Sequence, residues 1–218
     1  KDPRRQSYAA MMSAMDDAIG RVVEKLAADK LTENTLIFFI SDNGGPPVNA
    51  SSNGELRGFK ATTWEGGVRV PFIANWPGKL PAGKVYDQPV IQLDLLPTAL
   101  AAAGVAVTGE HKLDGVNLLP YFQGEQKTAP HDKLYWRFGQ QTAIRSGDWK
   151  LVKANPGQET LLINLTSDIG ESKDLSAENP AKRKELETAW DVWNKELKEP
   201  LWKANNNPGG KKKKKKAA

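Results

Sequence analysis

The start of the chain has the hydrophobic spacing of an amphipathic helix. Apolar residues recur at intervals of three and four from Tyr8 to Leu26, which predicts a helix over residues 7–29. Gly20 lies inside this helix, where glycine costs about 1 kcal/mol relative to alanine, so we expect close packing at that position. A continuous apolar run follows at residues 36–40. Such a run is typical of a strand buried on both faces of a helix-covered sheet.

The next stretch continues the alternation of helix and strand. The pattern predicts a strand over residues 68–76, with pairing limited by Pro71, and another over residues 85–92. Asp94 is a plausible N-cap for a helix over residues 95–103 that Gly104 ends, and a short helical or turn segment follows at residues 118–122. This order predicts an α/β fold with a parallel or mixed sheet.

Beyond residue 127 the pattern becomes that of a small antiparallel sheet. Pro180, preceded by the candidate N-cap Asn179, starts a final helix whose Trp190 and Trp193 we interpret as core residues. Before it, four short strand-like runs with turn residues between them predict a meander. The runs are residues 134–138, 142–145, 149–152 and 160–164. We therefore expect one region at 1–127, a sheet-plus-helix region at 128–204, and a tail at 205–218.

Charge and composition narrow the possible functions. The formal net charge is +5, and the six lysines of Lys211–Lys216 exceed it, so the basic character belongs to the tail. Such a run is typical of a disordered, solvated end, with attraction to an anionic surface as the alternative. The absence of cysteine excludes disulfides, thiolate metal sites and a cysteine nucleophile. With His111 and His131 as the two histidines, a three-histidine metal site is excluded as well.

Candidate chemistry lies where the first apolar run ends. Asp42 and Asn43 follow it directly, and ligands in open α/β sheets lie beyond the carboxyl ends of strands. Carboxylate and amide oxygens suit calcium or magnesium. Lys60, in a glycine-punctuated loop, would add a cation for an anionic group. Each feature also has an ordinary interpretation, because the first two residues fit an Asx turn before Gly44 and an exposed lysine is common.

Five segments in order resemble the sulfatase family of the arylsulfatase type. Ser41-Asp42-Asn43-Gly44 is similar to the second metal-binding segment of that family. Leu56–Lys60 followed by Glu65–Pro71 resembles its lysine loop and is much more specific. Residues 114–120, 143–151 and 162–175 also match in order and spacing, so the resemblance covers residues 8–197. It implies a partial alkaline-phosphatase-like α/β domain in residues 1–127, followed by a C-terminal antiparallel sheet packed by a helix in residues 128–204.

The resemblance implies hydrolysis of a sulfate monoester. In this family a formylglycine, made from Cys or Ser in a Cys/Ser-x-Pro-x-Arg segment, forms a hydrated aldehyde that attacks sulfur, while calcium and basic residues hold the sulfate oxygens. Carried onto this chain, Asp42 and Asn43 would ligate Ca²⁺. Lys60 would bind the sulfate and stabilise charge as the ester oxygen departs.

Part of the family pattern is missing from this sequence. It has no cysteine and no Ser-x-Pro-x-Arg segment, and the paired aspartates and catalytic histidines of the family's first half are not found. Asp16 and Asp17 are not that pair, because they precede the first strand within the predicted helix. We therefore expect a truncated sulfatase that binds calcium weakly and has negligible activity alone. The formylglycine and the other metal ligands would belong to a missing N-terminal half.

Other functions and settings stay open at this point. A phosphonate or phosphate ester hydrolase of the same superfamily would share the metal scaffold. A non-catalytic module could bind sulfated glycans through Lys60, Arg69 and the lysine tail. The resemblance implies a sulfated small molecule or glycan as partner, no nucleic acid, and a periplasmic or extracellular location. Residues 136–138 could line the pocket for the alcohol half of the substrate or could be core. No apolar run approaches the roughly 18 residues of a membrane span. The start at Lys1, with no signal segment, indicates a chain that begins inside a longer protein.

Overall fold

The computed structural model of the protein describes residues 2–109, 111–155, 157–199 and 201. The predicted tail at 205–218 lies outside the described residues. In chain order the helices and strands are α1 (Pro3–Ala28), β1 (Ile37–Ile40), α2 (Glu65–Val68), β2 (Phe72–Asn75), α3 (Leu95–Ala102), α4 (Leu119–Phe122), β3 (Leu134–Phe138), β4 (Gln141–Ser146), β5 (Trp149–Lys153), β6 (Leu161–Asn164) and α5 (Pro180–Glu196).

Helix α1 forms as predicted but is not packed into a core in the described part of the chain. Asp2 caps it by accepting a hydrogen bond from the backbone N–H of Arg4 at 2.9 Å. None of its residues is buried, and Met11 and Val22 are 71% and 60% exposed. The expectation of close packing at Gly20 is wrong for the described residues, because a Cβ there would meet nothing within 4 Å. No described helix is both long enough and apolar enough to cross a membrane.

Strands β1 and β2 form a two-stranded antiparallel sheet, with Ile37 opposite Asn75 and Ile40 opposite Phe72. The first predicted strand is confirmed in position, but its residues are half-buried and not buried. The second predicted strand is shorter than expected, since residues 65–68 are helical. Gly66 and Gly67 of this helix pack against the carbonyls of the preceding loop, which leaves no room for side chains.

The strand predicted over residues 85–92 is wrong. The structure has no strand in this segment, and Gln92–Asp94 forms a 3₁₀ turn. Pro89 has no N–H for a sheet ladder. Gln92 instead donates its side-chain amide to the backbone oxygens of Ser41 and Asp42, at 3.0 and 3.3 Å. The segment therefore lies across the end of β1 and does not extend the sheet.

Asp94 occupies the N-cap position of helix α3 as predicted, and the helix spans almost the predicted range, but the Asp94 side chain forms no capping hydrogen bond to the helix. Its carboxylate is fully buried and accepts hydrogen bonds from the backbone N–H groups of Ile91 and Val116, both at 2.9 Å. The Nε2 atom of His131 lies 2.9 Å from both carboxylate oxygens. These bonds draw the side chain away from the helix and fix three loop segments to one another.

The predicted meander is confirmed as a four-stranded antiparallel sheet in the order β3-β4-β5-β6. Successive residues point to opposite faces, and both faces are covered. One face packs against Leu186 of α5, and the other packs against Trp64. Trp190 lies beside the first of these clusters and Trp193 stacks on Tyr135 with ring centroids 4.9 Å apart, so both tryptophans are packing residues as expected.

Candidate active site

The site begins at the end of β1, where two side chains with oxygen atoms meet. Asp42 is exposed and Asn43 is half-buried. The Nδ2 atom of Asn43 donates to Oδ1 of Asp42 at 2.6 Å, and the Ser41 hydroxyl donates to the backbone oxygen of Asn43 at 2.9 Å. This local bonding is turn-like. It leaves the second carboxylate oxygen and the amide oxygen without a hydrogen-bond donor among the described residues.

Gly44 attaches this strand end to helix α2. Its N–H donates to the backbone oxygen of Gly67 at 3.0 Å. A Cβ atom at Gly44 would lie 1.7 Å from the backbone oxygen of Gly66, far inside contact distance. Glycine is therefore required because two backbone segments touch here.

Asn53 attaches the same strand end to the loop that carries Lys60. Its side chain accepts from the N–H of Gly45 at 2.8 Å and donates to the oxygens of Gly45 and Gly58, both at 3.0 Å. The carbonyl oxygen and the NH₂ group of the Asn53 side chain thus both form hydrogen bonds, and they connect the strand end to the loop. Asn53 was not predicted from the sequence, because one asparagine in a loop rich in Ser, Asn and Gly carries no signal of its own.

The Lys60 loop is fixed on either side of the lysine. Thr62 donates its hydroxyl to the oxygen of Phe59 at 2.7 Å, which closes a tight turn. Gln141 of β4 donates to the oxygen of Ala61 at 2.9 Å and accepts from the N–H of Thr63 at 3.2 Å. Lys60 itself is exposed. The backbone of the loop is held, while the ammonium group extends from it.

A buried ion cluster anchors α2 to the four-stranded sheet. Lys150 places its Nζ atom 2.8 Å from a carboxylate oxygen of Glu65 and 2.8 Å from one of Glu171, and none of the three side chains is more than 2% exposed. The N–H of Glu65 also donates to Glu171 at 2.6 Å. Burial raises the pKa of the Glu171 carboxyl, and the charge of Lys150 opposes that rise. The cluster was not predicted, because its members are 85 and 106 residues apart from Glu65.

Arg57 adds a second link between the lysine loop and the cluster. Its guanidinium lies 3.9 Å from the ring centroid of Trp64 and donates to the backbone oxygen of Glu171 at 2.6 Å. Its backbone oxygen accepts from the N–H of Gly66 at 2.7 Å. The loop, α2 and the C-terminal sheet are therefore connected by a continuous set of contacts.

An open cleft of about 530 Å³ lies beside the strand end. Asp42, Arg69, Arg145 and Trp136 are among the residues that line it, whereas Asn43 and Lys60 are not. Of the residues 136–138 considered for a substrate pocket, Trp136 alone lines this cleft. Arg137 instead donates to the side-chain oxygen of Asn194 at 2.7 Å, which fixes it against α5.

The residues present could supply part of a metal shell. Among the described residues there is no group of three or more His, Asp or Glu side chains that could hold an ion. Asp42 and Asn43 offer two hard oxygen donors, of the kind that calcium takes, whereas calcium usually has six to eight. The Nε2 atom of His131 is paired with the carboxylate of Asp94. The donor set therefore fits one side of a calcium site.

Comparison with family models and known proteins gives consistent matches. Residues 1–105 match the model described as Sulfatase, and residues 54–196 match the one described as N-sulphoglucosamine sulphohydrolase, C-terminal. The N-acetylgalactosamine-6-sulfatase of Canis lupus familiaris is 37% identical over 151 residues, which are 67% of this chain and 29% of that protein. The steryl-sulfatase of Mus musculus is 31% identical over 225 residues, covering 85% of this chain and 36% of that protein.

Solved structures extend the match to three dimensions. Ps i-CgsB, in a crystal structure with k-i-k-neocarrahexaose, is 36% identical with a TM-score of 0.85, covering 93% of this chain and 46% of that one. The phosphonate monoester hydrolase of Agrobacterium radiobacter has a TM-score of 0.67 at 21% identity, covering 87% and 41%. At that identity the likeness concerns the fold alone. The chain thus spans less than half the length of each of these relatives.

Proposed function

This chain belongs to the sulfatase family, and from that premise we propose that the protein takes part in hydrolysis of a sulfate monoester. The region at 1–127 would be the later part of the alkaline-phosphatase-like catalytic domain, and 128–204 the C-terminal subdomain that supports it. A phosphonate ester hydrolase is the weaker alternative, since the curated relatives described above are sulfatases. Limited proteolysis of the whole chain would test the division, with cleavage expected first near residues 123–133.

The proposal rests on the hydrogen bonds that connect the two segments resembling the sulfatase metal-binding segment and lysine loop. The strand end with Asp42 and the loop with Lys60 are 18 positions apart along the chain. Gly44 bonds to Gly67, and Asn53 bonds to both Gly45 and Gly58. Two oxygen donors and an ammonium group are therefore carried on segments that are bonded to the same short helix and to each other.

We assign Asp42 and Asn43 the role of calcium ligands in this proposal. One carboxylate oxygen and one amide oxygen are hard donors, and Asp42 faces the cleft. Calcium, when bound, would withdraw charge from the sulfate oxygens. The hydrogen bond from the Asn43 amide to one carboxylate oxygen of Asp42 joins the two side chains and leaves one oxygen of each for the ion.

Lys60 would bind the sulfate and stabilise negative charge on the departing ester oxygen. Preorganised donors of this type typically contribute about 10²–10³ in kcat, because they do not reorganise as charge develops. The turn closed by Thr62 and the clamp from Gln141 hold the loop that presents this lysine. The nucleophile is not encoded in this chain, so we expect no turnover of an aryl sulfate by the 218-residue chain.

The substrate would be a sulfated glycan or a sulfated small molecule. Ps i-CgsB is described in complex with an oligosaccharide, which supports a glycan, while the steryl-sulfatase relative supports the broader class. A binding module for sulfated glycans without hydrolysis remains the alternative of another class. We propose a periplasmic or extracellular location on the basis of the family resemblance.

Calcium titration of the purified chain tests the metal assignment. We expect weak binding, with Kd on the order of 10⁻³ M, because two ligands replace six to eight. Asp42→Ala should abolish it. Asp17→Ala removes an equally exposed carboxylate from α1 and should leave it unchanged. Equal loss in both variants would mean diffuse charge attraction and would remove the metal assignment.

The gene region upstream of Lys1 tests the catalytic half of the proposal. It should encode a Cys/Ser-x-Pro-x-Arg segment. In the longer protein, Lys60→Ala should lower kcat for an aryl sulfate by about 10²–10³. An upstream sequence without such a segment, together with glycan binding that depends on Lys60, would favour the non-catalytic alternative.

A further inference from the structure

Two arginines line the cleft beside Asp42 and are not used by the proposed chemistry. Arg69 follows α2 directly, and Arg145 belongs to β4. Their side chains are 50% and 19% exposed. Each therefore reaches the same cleft from a different structural element, one from the α2 segment and one from the C-terminal sheet.

Each arginine has only a distant ionic partner among the described residues, the carboxylate of Glu65. Both approach the same oxygen of Glu65, Arg145 at 3.7 Å and Arg69 at 3.9 Å, which is longer than a hydrogen bond. The other oxygen of Glu65 is taken by Lys150 at 2.8 Å. Arg145 also donates its Nε atom to the backbone oxygen of Gly147 at 3.0 Å. Among the described residues, the terminal nitrogens of both guanidinium groups have no hydrogen-bond acceptor.

The ion cluster around Glu65 contains three cations and two carboxylates. Arg69, Arg145 and Lys150 are three cations, and Glu65 and Glu171 are two carboxylates. Lys150 is fully buried and does not line the cleft, so the cations that do line it are the two guanidinium groups. Apart from Asp42 and Glu65, the further carboxylate that lines the cleft is the exposed Asp87. Unused guanidinium donors in a partly buried setting are suited to bidentate binding of carboxylate or sulfate oxygens.

An aromatic side chain lines the same cleft. Trp136 of β3 is half-buried there, next in the sheet to the strand that carries Arg145. An apolar ring face beside a small number of polar groups is the usual composition of a small-molecule site. The cleft thus combines an aromatic side chain, which could contact a sugar ring, with two guanidinium groups, which could bind a charge carried by that ring.

We propose that Arg69 and Arg145 form a second anion subsite, which binds a carboxylate or a second sulfate on the same saccharide whose sulfate ester lies at Asp42 and Lys60. The inference rests on the proposed function and deepens it, because it makes the substrate an oligosaccharide with at least two anionic groups. A planar carboxylate and a tetrahedral sulfate both present negatively charged oxygens that guanidinium groups can bind through hydrogen bonds.

Saccharide binding to the whole chain, in calcium and at low salt, tests the subsite. The probes are three disaccharides of one backbone that carry one sulfate, two sulfates, or one sulfate and one uronate carboxylate. We expect the doubly anionic probes to bind about 10-fold to 100-fold more tightly than the monosulfated one. Whichever doubly anionic probe binds more tightly identifies the preferred anion.

Variants separate the subsite from general charge attraction. Arg69→Ala and Arg145→Gln should each remove most of the preference for the second anion and change monosulfate binding by less than about twofold. Arg21→Ala, which removes an exposed cation from α1, is the matched control and should change neither. Arg69 is half-exposed, so its variant keeps the test valid if Arg145→Gln unfolds, which circular dichroism would detect.

The outcomes distinguish this inference from the proposed function. Binding that depends on calcium and Lys60 but shows no preference for a second anion overturns the subsite and leaves the proposed function intact. A preference that Arg69→Ala abolishes, with no effect of calcium or Lys60→Ala, supports the subsite and counts against the proposed function. The subsite is overturned if Arg69→Ala and Arg21→Ala weaken the binding of all three probes equally. It is also overturned if neither doubly anionic probe binds at about 10 mM.

Discussion

The two sheets of this molecule differ in what covers them. The four-stranded sheet has α5 against one face and Trp64 against the other, and Ile144 and Ile163 are 0% exposed. The two-stranded sheet is covered more thinly in the described part of the chain, where Phe72 contacts Phe122 of α4 but Ile73 of β2 is 56% exposed and no residue of α1 is buried. Because burial of apolar surface contributes about 25 cal/mol per Å², stability resides mainly in the four-stranded sheet. The candidate chemistry lies on the sparsely covered side.

The buried ion cluster should give the largest effect, because it joins the two regions. Lys150→Met would leave Glu171 buried without its cation and Glu65 with only the more distant arginines, and loss of one partner of a buried ion pair typically costs about 3–5 kcal/mol. Lys153→Met, three residues further along the same strand and only half-buried, is the matched control and should change stability by less than about 0.5 kcal/mol. Urea unfolding of the two variants provides the measurement. Equal stability of both would show that the cluster does not hold the regions together.

The loss in Lys150→Met should depend on pH. Burial raises the pKa of Glu171 above its usual 4.5 in the folded state, and removing Lys150 takes away a lowering influence. Protonation of the Glu171 carboxyl therefore stabilises the folded state. This contribution is complete below the pKa that Glu171 has in the unfolded chain, and it is lost as the pH rises through the pKa that Glu171 has in the folded protein. The stability deficit of the variant should therefore be smaller at about pH 5 than at about pH 8. A larger deficit at the lower pH would contradict this account.

Apolar truncation compares the two regions directly. Leu186→Ala removes a fully buried side chain from the contact of α5 with the sheet and should cost about 2–5 kcal/mol. Met11→Ala removes a side chain of similar size from α1, where it is 71% exposed, and should cost less than about 0.5 kcal/mol. The midpoints of thermal unfolding would show the difference. Similar costs for both would mean that α1 is packed in solution.

Elements with a strong local pattern were predictable from the sequence. The four strands of the larger sheet and helices α1, α3 and α5 match their predicted ranges closely, because periodicity and turn residues determine them locally. The strand at 85–92 failed for the opposite reason. Its pattern was apolar enough, but the amide of Gln92 bonds to the backbone at Ser41 and Asp42, a contact formed across about 50 positions of sequence.

Some residues of the candidate site were predictable from the sequence and others were not. Asp42, Asn43 and Lys60 stand out because they belong to segments that resemble a family, and their roles as ligands and catalytic group stay predictions. Asn53 had no signal because its partners lie only eight and five positions away in a loop rich in Ser, Asn and Gly, where one asparagine is ordinary. The approach of Arg69 and Arg145 to the same carboxylate had none because the two arginines lie far apart in the sequence. What a single sequence lacks is therefore the set of long-range polar contacts that hold the site.

Gly44→Ala should give an intermediate effect, because it separates the strand end from α2. The new Cβ would lie 1.7 Å from the backbone oxygen of Gly66, and both segments are backbone, so one must move. Overpacking of this kind typically costs about 1–3 kcal/mol. Calcium affinity, if it resides at Asp42, should fall in the same variant. Gly109→Ala, where a Cβ meets nothing within 4 Å, is the control for both measurements.

The smallest expected effect has the opposite sign and tests the sparsely covered region itself. Gly20 lies within α1, and a Cβ there meets nothing within 4 Å among the described residues. Gly20→Ala should therefore stabilise the 218-residue chain, by up to about 1 kcal/mol, through helix propensity alone. In a longer sulfatase that contains this chain, a partner packed against α1 would meet the added methyl group, and the same change would destabilise the protein. Unfolding measured in both settings separates these cases, and stabilisation in both would mean that the face of α1 at Gly20 stays uncovered.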